Sequence, residues 1–80
     1  MLNVSVISPE ATLFEGEAPS ITAPAFDGEI GILTGHAPMV TVLGTGTLTV
    51  GNGPSFTVSG GFLQIVDNQV RVVTESAAKA

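Results

Sequence analysis

Ser55-Phe56-Thr57-Val58-Ser59-Gly60-Gly61-Phe62-Leu63-Gln64-Ile65-Val66-Asp67-Asn68-Gln69-Val70-Arg71-Val72-Val73 is the stretch that decides the fold. Phe56 and Val58 alternate with Ser55, Thr57 and Ser59, Leu63 and Ile65 flank Gln64, and Val70 and Val72 flank Arg71. A period of two in short, β-branched, half-polar runs is the pattern of strands with one face buried. Between Gly61–Val66 and Gln69–Val73, the pair Asp67-Asn68 has the chemistry of a tight hairpin turn, because both residues tolerate positive φ.

The same period runs outward through the chain. Leu2, Val4 and Val6 alternate with Asn3 and Ser5; Ile30 and Ile32 follow a turn at Asp27-Gly28; Val40 and Val42 flank Thr41; Leu48 and Val50 alternate with Thr47 and Thr49. Turn residues separate the runs at Ser8-Pro9-Glu10, Gly35-His36-Ala37-Pro38, Gly44-Thr45-Gly46 and Gly51-Asn52-Gly53-Pro54. The expected fold is all-β: a small antiparallel β-sandwich or flattened barrel of about eight to ten short strands. Phe14, Phe26, Phe56 and Phe62, one to each strand region, are expected to fill its core. No apolar stripe of 3.6-residue period is long enough for a stable helix. Glu75-Ser76-Ala77-Ala78-Lys79-Ala80 favours helix by composition but runs out after one turn. The expected organisation is therefore one domain, residues 1–75, followed by a short tail, 76–80, that is either frayed or the start of something missing.

Composition narrows the function. The 80 residues include 44% hydrophobic side chains, 10 Gly, seven acids and only two bases, Arg71 and Lys79, for a net charge of −5. Charged residues make up 11%, where about 25% is usual. A surface so poor in charge leaves apolar patches, and such patches mark contact sites. Nucleic-acid binding needs a basic footprint, and so does attraction to anionic lipid, so neither is expected. There is no Cys, which removes disulfides, thiolate zinc sites and thiol nucleophiles. No run of 18 apolar residues suggests a membrane span, and the opening Met1-Leu2-Asn3-Val4 has no basic leader, so an intracellular soluble domain is expected.

The candidates for chemistry are few. His36 is the single His, and a base needs a partner and a nucleophile beside it. No Gly-x-Ser-x-Gly elbow accompanies it, so the plainer reading is a surface or interface turn residue. Asp27 and Glu29 stand two apart and would share a strand face, but the other acids show no ligand spacing; a solvated turn is favoured over a metal site. Gly44-x-Gly46, Gly51-x-Gly53 and Gly60-Gly61 lack the full phosphate-loop pattern and open no helix. A small hydrolase built on His36 with Asp27 or Glu29, and a free-standing ligand- or protein-binding sandwich, stand as alternatives to a subunit with permanent neighbours.

Three segments carry a resemblance to a known family. The run from Phe26 to Thr41, with Gly28-Glu29-Ile30-Gly31-Ile32-Leu33-Thr34-Gly35-His36-Ala37-Pro38 at its centre, resembles the signature region of the epsilon subunits of F-type ATP synthases. Ser59-Gly60-Gly61-Phe62-Leu63-Gln64-Ile65 is similar to that family's second signature, and Val6 to Gly16 is similar to its first hairpin. The segments come in the family's order and cover residues 2 to about 75.

The resemblance implies the family's N-terminal β-sandwich at the foot of the central stalk. It implies a non-catalytic rotor subunit that docks on the gamma subunit and the c-ring and couples proton transport to ATP synthesis. Carried over by position, Glu29, Gly35, His36, Ala37 and Pro38 would face the c-ring, and Ser8, Thr41 and Ser59 the gamma subunit. The implied location is peripheral, on the cytoplasmic face of the bacterial plasma membrane, with the plastid thylakoid second. No cofactor, metal, nucleic-acid partner or membrane insertion is implied. Two departures stand out. Thr34 occupies the place of a usual Pro, which loosens the turn before Gly35. The chain ends at Ala80, where the family commonly adds a two-helix domain that inhibits hydrolysis and in some members binds ATP; neither property is carried over.

Overall fold

A computed structural model describes residues 1–79. Eight strands follow one another: β1 (Leu2–Ile7), β2 (Thr12–Ala18), β3 (Ser20–Ala25), β4 (Gly28–Leu33), β5 (Met39–Val42), β6 (Thr45–Val50), β7 (Ser55–Val66) and β8 (Gln69–Lys79). The described residues form no helix, so the all-β expectation holds. The strands form one sheet in the order β2-β1-β8-β7-β6-β3-β4, with β5 also paired to β7.

The long hairpin is the spine of this sheet. Asp67 and Asn68 adopt φ of 50° and 62°, the two positive values that a type I′ turn requires. From that turn β7 and β8 pair from Val66↔Gln69 to Phe56↔Lys79. Strand β7 then changes neighbour midway. Ser55–Ser59 pairs with β6, and Phe62–Ile65 pairs with β5. Gly60 and Gly61, at φ of 73° and 104°, occupy the changeover. Two successive left-handed residues shift the alternation by one, so Phe56 and Val58 point inward before them and Leu63 and Ile65 after them.

Closure comes from the short link between β5 and β6. Leu43 bridges to Ala25, its N–H donates to the Gly61 carbonyl (2.9 Å), and the Gly44 N–H donates to the Pro24 carbonyl (2.8 Å). The sheet thus folds over on itself as a flattened barrel. Alternate residues of every layer meet inside: Leu2, Val4 and Val6 from β1, Ile21 and Ala23 from β3, Leu48 and Val50 from β6, Leu63 and Ile65 from β7, Val70 and Val72 from β8. Each Val, Leu or Ile among them contributes about 1.5–3 kcal/mol by leaving water.

Three expectations are corrected here. One ladder is parallel: β1 runs alongside β8, Val4 opposite Val70 and Val6 opposite Val72. These strands come from opposite ends of the chain, and no tight turn constrains their direction. Ser76–Lys79 is not a frayed tail but the last part of β8, with Ser76 opposite Ser59, Ala77 opposite Val58, Ala78 opposite Thr57 and Lys79 opposite Phe56. A long neighbour supplies the backbone partners that override a weak helical preference; Ala80 lies outside the described residues. Finally, Phe56 fills the core and Phe14 packs against it, while Phe26 and Phe62 do not enter it.

Candidate functional site

The two misplaced phenylalanines define the surface that matters. In paired strands, residues directly opposite share a face. Leu63, Val72 and Val6 form an inward row across β7, β8 and β1. Their sequence neighbours therefore point out. Val42 stands opposite Phe62, Phe62 opposite Val73, and Val73 opposite Ile7. Phe26 continues the row, since its N–H donates to the Val42 carbonyl at 3.0 Å. Phe26 is 70% exposed, Val42 57% and Phe62 40%, while Val73 and Ile7 are half-buried. Five apolar side chains thus line an outward strip roughly 19 Å long, at about 4.8 Å per strand.

The next row out is mixed: Val40, Gln64, Arg71, Ser5 and Glu15 lie opposite one another in turn across five strands. Beyond it come Val66, Gln69, Asn3 and Glu17. An apolar line edged by polar and charged residues has the anatomy of a protein interface, with a dry centre and a wet rim.

The Gly35-His36-Ala37-Pro38 turn lies at the far end of β4 from Glu29. Leu33-Thr34-Gly35-His36 closes as a β-turn, the His36 N–H donating to the Leu33 carbonyl at 3.1 Å. Gly35 at φ 87° has the left-handed conformation of the third position of a type II turn. The His36 ring turns back on its own loop, Nδ1–H donating to the Ala37 carbonyl at 2.7 Å. Glu29, opposite Pro24, belongs to the corner made by Phe26, Asp27 and Gly28. Four residue steps of extended strand lead from Glu29 to Leu33, about 13 Å. The structure therefore does not gather Glu29 and the turn at one point; only the free edge of β4 joins them. For the same reason His36 does not converge with Asp27 or Glu29. Among the described residues, no three His, Asp or Glu side chains come together as a metal site.

Ser8, Thr41 and Ser59 are also dispersed. Ser8 is buried, its hydroxyl donating to the Ala11 carbonyl (3.2 Å) and accepting from the Ala11 N–H (3.3 Å). It closes the β1–β2 turn next to Ile7. Thr41 lies opposite buried Leu63, on the inward side of β5 behind Val40 and Val42. Ser59 is exposed and bonded to Thr45 at 3.2 Å, beyond the Gly60-Gly61 changeover. Ser8 and Thr41 thus underlie the apolar strip, and Ser59 stands apart from it. Sequence reasoning missed the strip itself. Its only trace was the low charge, since period two marks a residue's face but not whether that face is covered.

The comparisons agree with this architecture. A family model for the β-sandwich domain of the ATP synthase delta/epsilon chain matches residues 1–80. The chain is 45% identical over 80 residues to an ATP synthase epsilon chain of Leptospira borgpetersenii, covering 96% of this chain and 63% of that protein. It is 40% identical to one from Desulforamulus reducens, covering 96% and 61%. A chain in the cryo-EM structure of the Euglena gracilis mitochondrial ATP synthase (OSCP/F1/c-ring) superposes with a TM-score of 0.88 at 27% identity, covering 98% of this chain and 52% of that one. A chain in the Tetrahymena thermophila mitochondrial ATP synthase central stalk/c-ring structure, at 20% identity and a TM-score of 0.80, shares the fold. The chain spans about three-fifths of the length of the curated relatives it matches. On the eight-strand closure and a match along its whole length, the chain belongs to the family of ATP synthase delta/epsilon β-sandwich domains.

Proposed function

We propose that the chain serves as the sandwich domain of an epsilon subunit in the central stalk of an F-type ATP synthase. It is a mechanical coupler between gamma subunit and c-ring, linking proton transport to ATP synthesis without chemistry of its own. The observation that carries this reading is the outward apolar strip from Phe26 through Val42, Phe62 and Val73 to Ile7. A surface that hands on torque needs a broad contact on rigid elements, and a strip spread across four strands and the β3 end supplies one.

The strip takes the gamma subunit, backed by Ser8 at one end and Thr41 near the other, while Ser59 stands apart from it. The c-ring lies along the free edge of β4, the one line that touches both Glu29 and Gly35-His36-Ala37-Pro38. Glu29 is exposed there, and its carboxylate suits a basic loop on the ring, setting register more than affinity. The separation of His36 from Asp27 and Glu29 supports a non-catalytic role. The relatives from Leptospira and Desulforamulus support a peripheral position on the cytoplasmic face of a bacterial plasma membrane.

The test is binding to the purified gamma subunit. Val42→Lys places a charge in the strip without touching the core. It should weaken the complex at least tenfold, since a buried unpaired charge costs more than ~1.4 kcal/mol, and leave the melting temperature unchanged. Undiminished binding by this variant would overturn the assignment of the strip.

A further inference from the structure

Residues 34–38 connect two edge strands, and their own backbone bonding is sparse. Among the described residues, one hydrogen bond ties this segment to a distant part of the chain: the Gly35 N–H donates to Asn68 Oδ1 at 2.7 Å, across 33 positions of sequence. The bond from His36 to Leu33 and that from the His36 ring to Ala37 are both local. Asn68 is itself held in place. It is the second residue of the β7–β8 turn, at φ 62°, and its carbonyl accepts the Asn3 N–H at 2.8 Å. One side chain thus joins the hairpin, the start of β1 and the His36 turn.

We infer that Asn68 is a positioning residue whose side-chain oxygen clasps the Gly35 amide and holds the Gly35–Pro38 turn in its docking conformation. The turn's role in docking rests on the proposed c-ring contact; the clasp does not. The left-handed backbone explains why Asn suits both duties. It is the residue other than Gly that enters this region most readily, and it carries an acceptor that Gly lacks. A turn ordered before contact loses less conformational freedom on binding than a free one.

Two variants separate the clasp from the fold. Asn68→Gly removes the acceptor yet creates Asp-Gly, a preferred type I′ pair, so the hairpin is retained. Asn68→Asp keeps an acceptor at the same place and tolerates the same backbone. Amide exchange at Gly35 in the full chain should speed up about three- to tenfold in Asn68→Gly, with exchange in β7 and β8 unchanged, and should return toward the parent value in Asn68→Asp. Binding to a gamma–c-ring rotor should weaken in step and recover in step. Unchanged Gly35 exchange in Asn68→Gly overturns the clasp. Faster exchange with undiminished binding, where Pro38→Ala does weaken binding, also overturns it, because the turn would dock without being held. If neither Asn68→Gly nor Pro38→Ala affects binding while Gly35 exchange rises, the clasp stands and the c-ring assignment of the turn falls.

Discussion

Gly61 is the residue on which the shape of the domain turns. A Cβ there would lie 2.7 Å from Thr74 Cα and closer still to the Val73 carbonyl oxygen, on a backbone at φ 104°. Both obstacles are main chain of the neighbouring strand, which cannot step aside. Gly60 differs, because a Cβ there meets the flexible carboxylate end of Glu75. Gly61→Ala should therefore cost about 3 kcal/mol and Gly60→Ala about 1 kcal/mol, read as the shift in urea midpoint. For a chain of this length, whose total stability is about 4–12 kcal/mol, the first is a large fraction. Thr34 offers the opposite case. It is the second residue of the turn closed by His36 and Leu33, the position where φ near −65° suits Pro. Thr34→Pro should raise stability by about 0.4–1 kcal/mol by restricting the unfolded chain, visible as a melting point higher by a few degrees.

At the scale of the element, β8 shows how neighbours outweigh local preference. Ser76 to Lys79 has the composition of a helix turn, yet it lies flat against Ser59 to Phe56, and Ala77 packs on the core. Removing residues 76–80 should destabilise the domain by about 2 kcal/mol or more, the sum of a few ladder hydrogen bonds and the lost cover over the core. Equilibrium unfolding in urea measures this, and an unchanged midpoint would mean that these residues do not contribute to the sheet. Strand β7 makes the complementary point. Its twelve residues read as two short strands interrupted by Gly60-Gly61, and the apolar alternation does change phase there. That phase change was legible in the sequence. Its consequence, one strand serving two neighbours, needed the pairing of β5 and β6 on either side of the changeover.

For the molecule as a whole, the division of surface follows from the division of charge. With only seven acids and two bases in the chain, neither β5 nor β7 carries a charged residue, and Val42 and Phe62 at the centre of the apolar strip lie there. Glu29 sits at the corner beside Phe26, so a charge reversal at this point tests coupling apart from folding. Glu29→Lys should leave the melting temperature within about 1 °C, since the side chain is exposed and away from the core. In a reassembled complex it should lower ATP-driven proton pumping relative to ATP hydrolysis, checked by quenching of a pH-sensitive dye in vesicles. Equal pumping by variant and parent would remove Glu29 from the ring contact.

The local chemistry of this chain was sufficient to read strands through Leu2, Val4 and Val6, Leu48 and Val50, Phe56 and Val58, Leu63 and Ile65, and Val70 and Val72, with these side chains inward, and to read the Asp67-Asn68 turn, because each depends on neighbours within a few residues. The tertiary structure alone decided the parallel alignment of β1 with β8, the capture of Ser76–Lys79, the length of β4 between Glu29 and His36, and the exposure of Phe26, Val42 and Phe62. The physical reason is that a period of two sorts side chains onto two faces and says nothing about which strands become neighbours. Only the closure of the sheet determines which face is covered, and it leaves Phe26, Val42 and Phe62 exposed on the other.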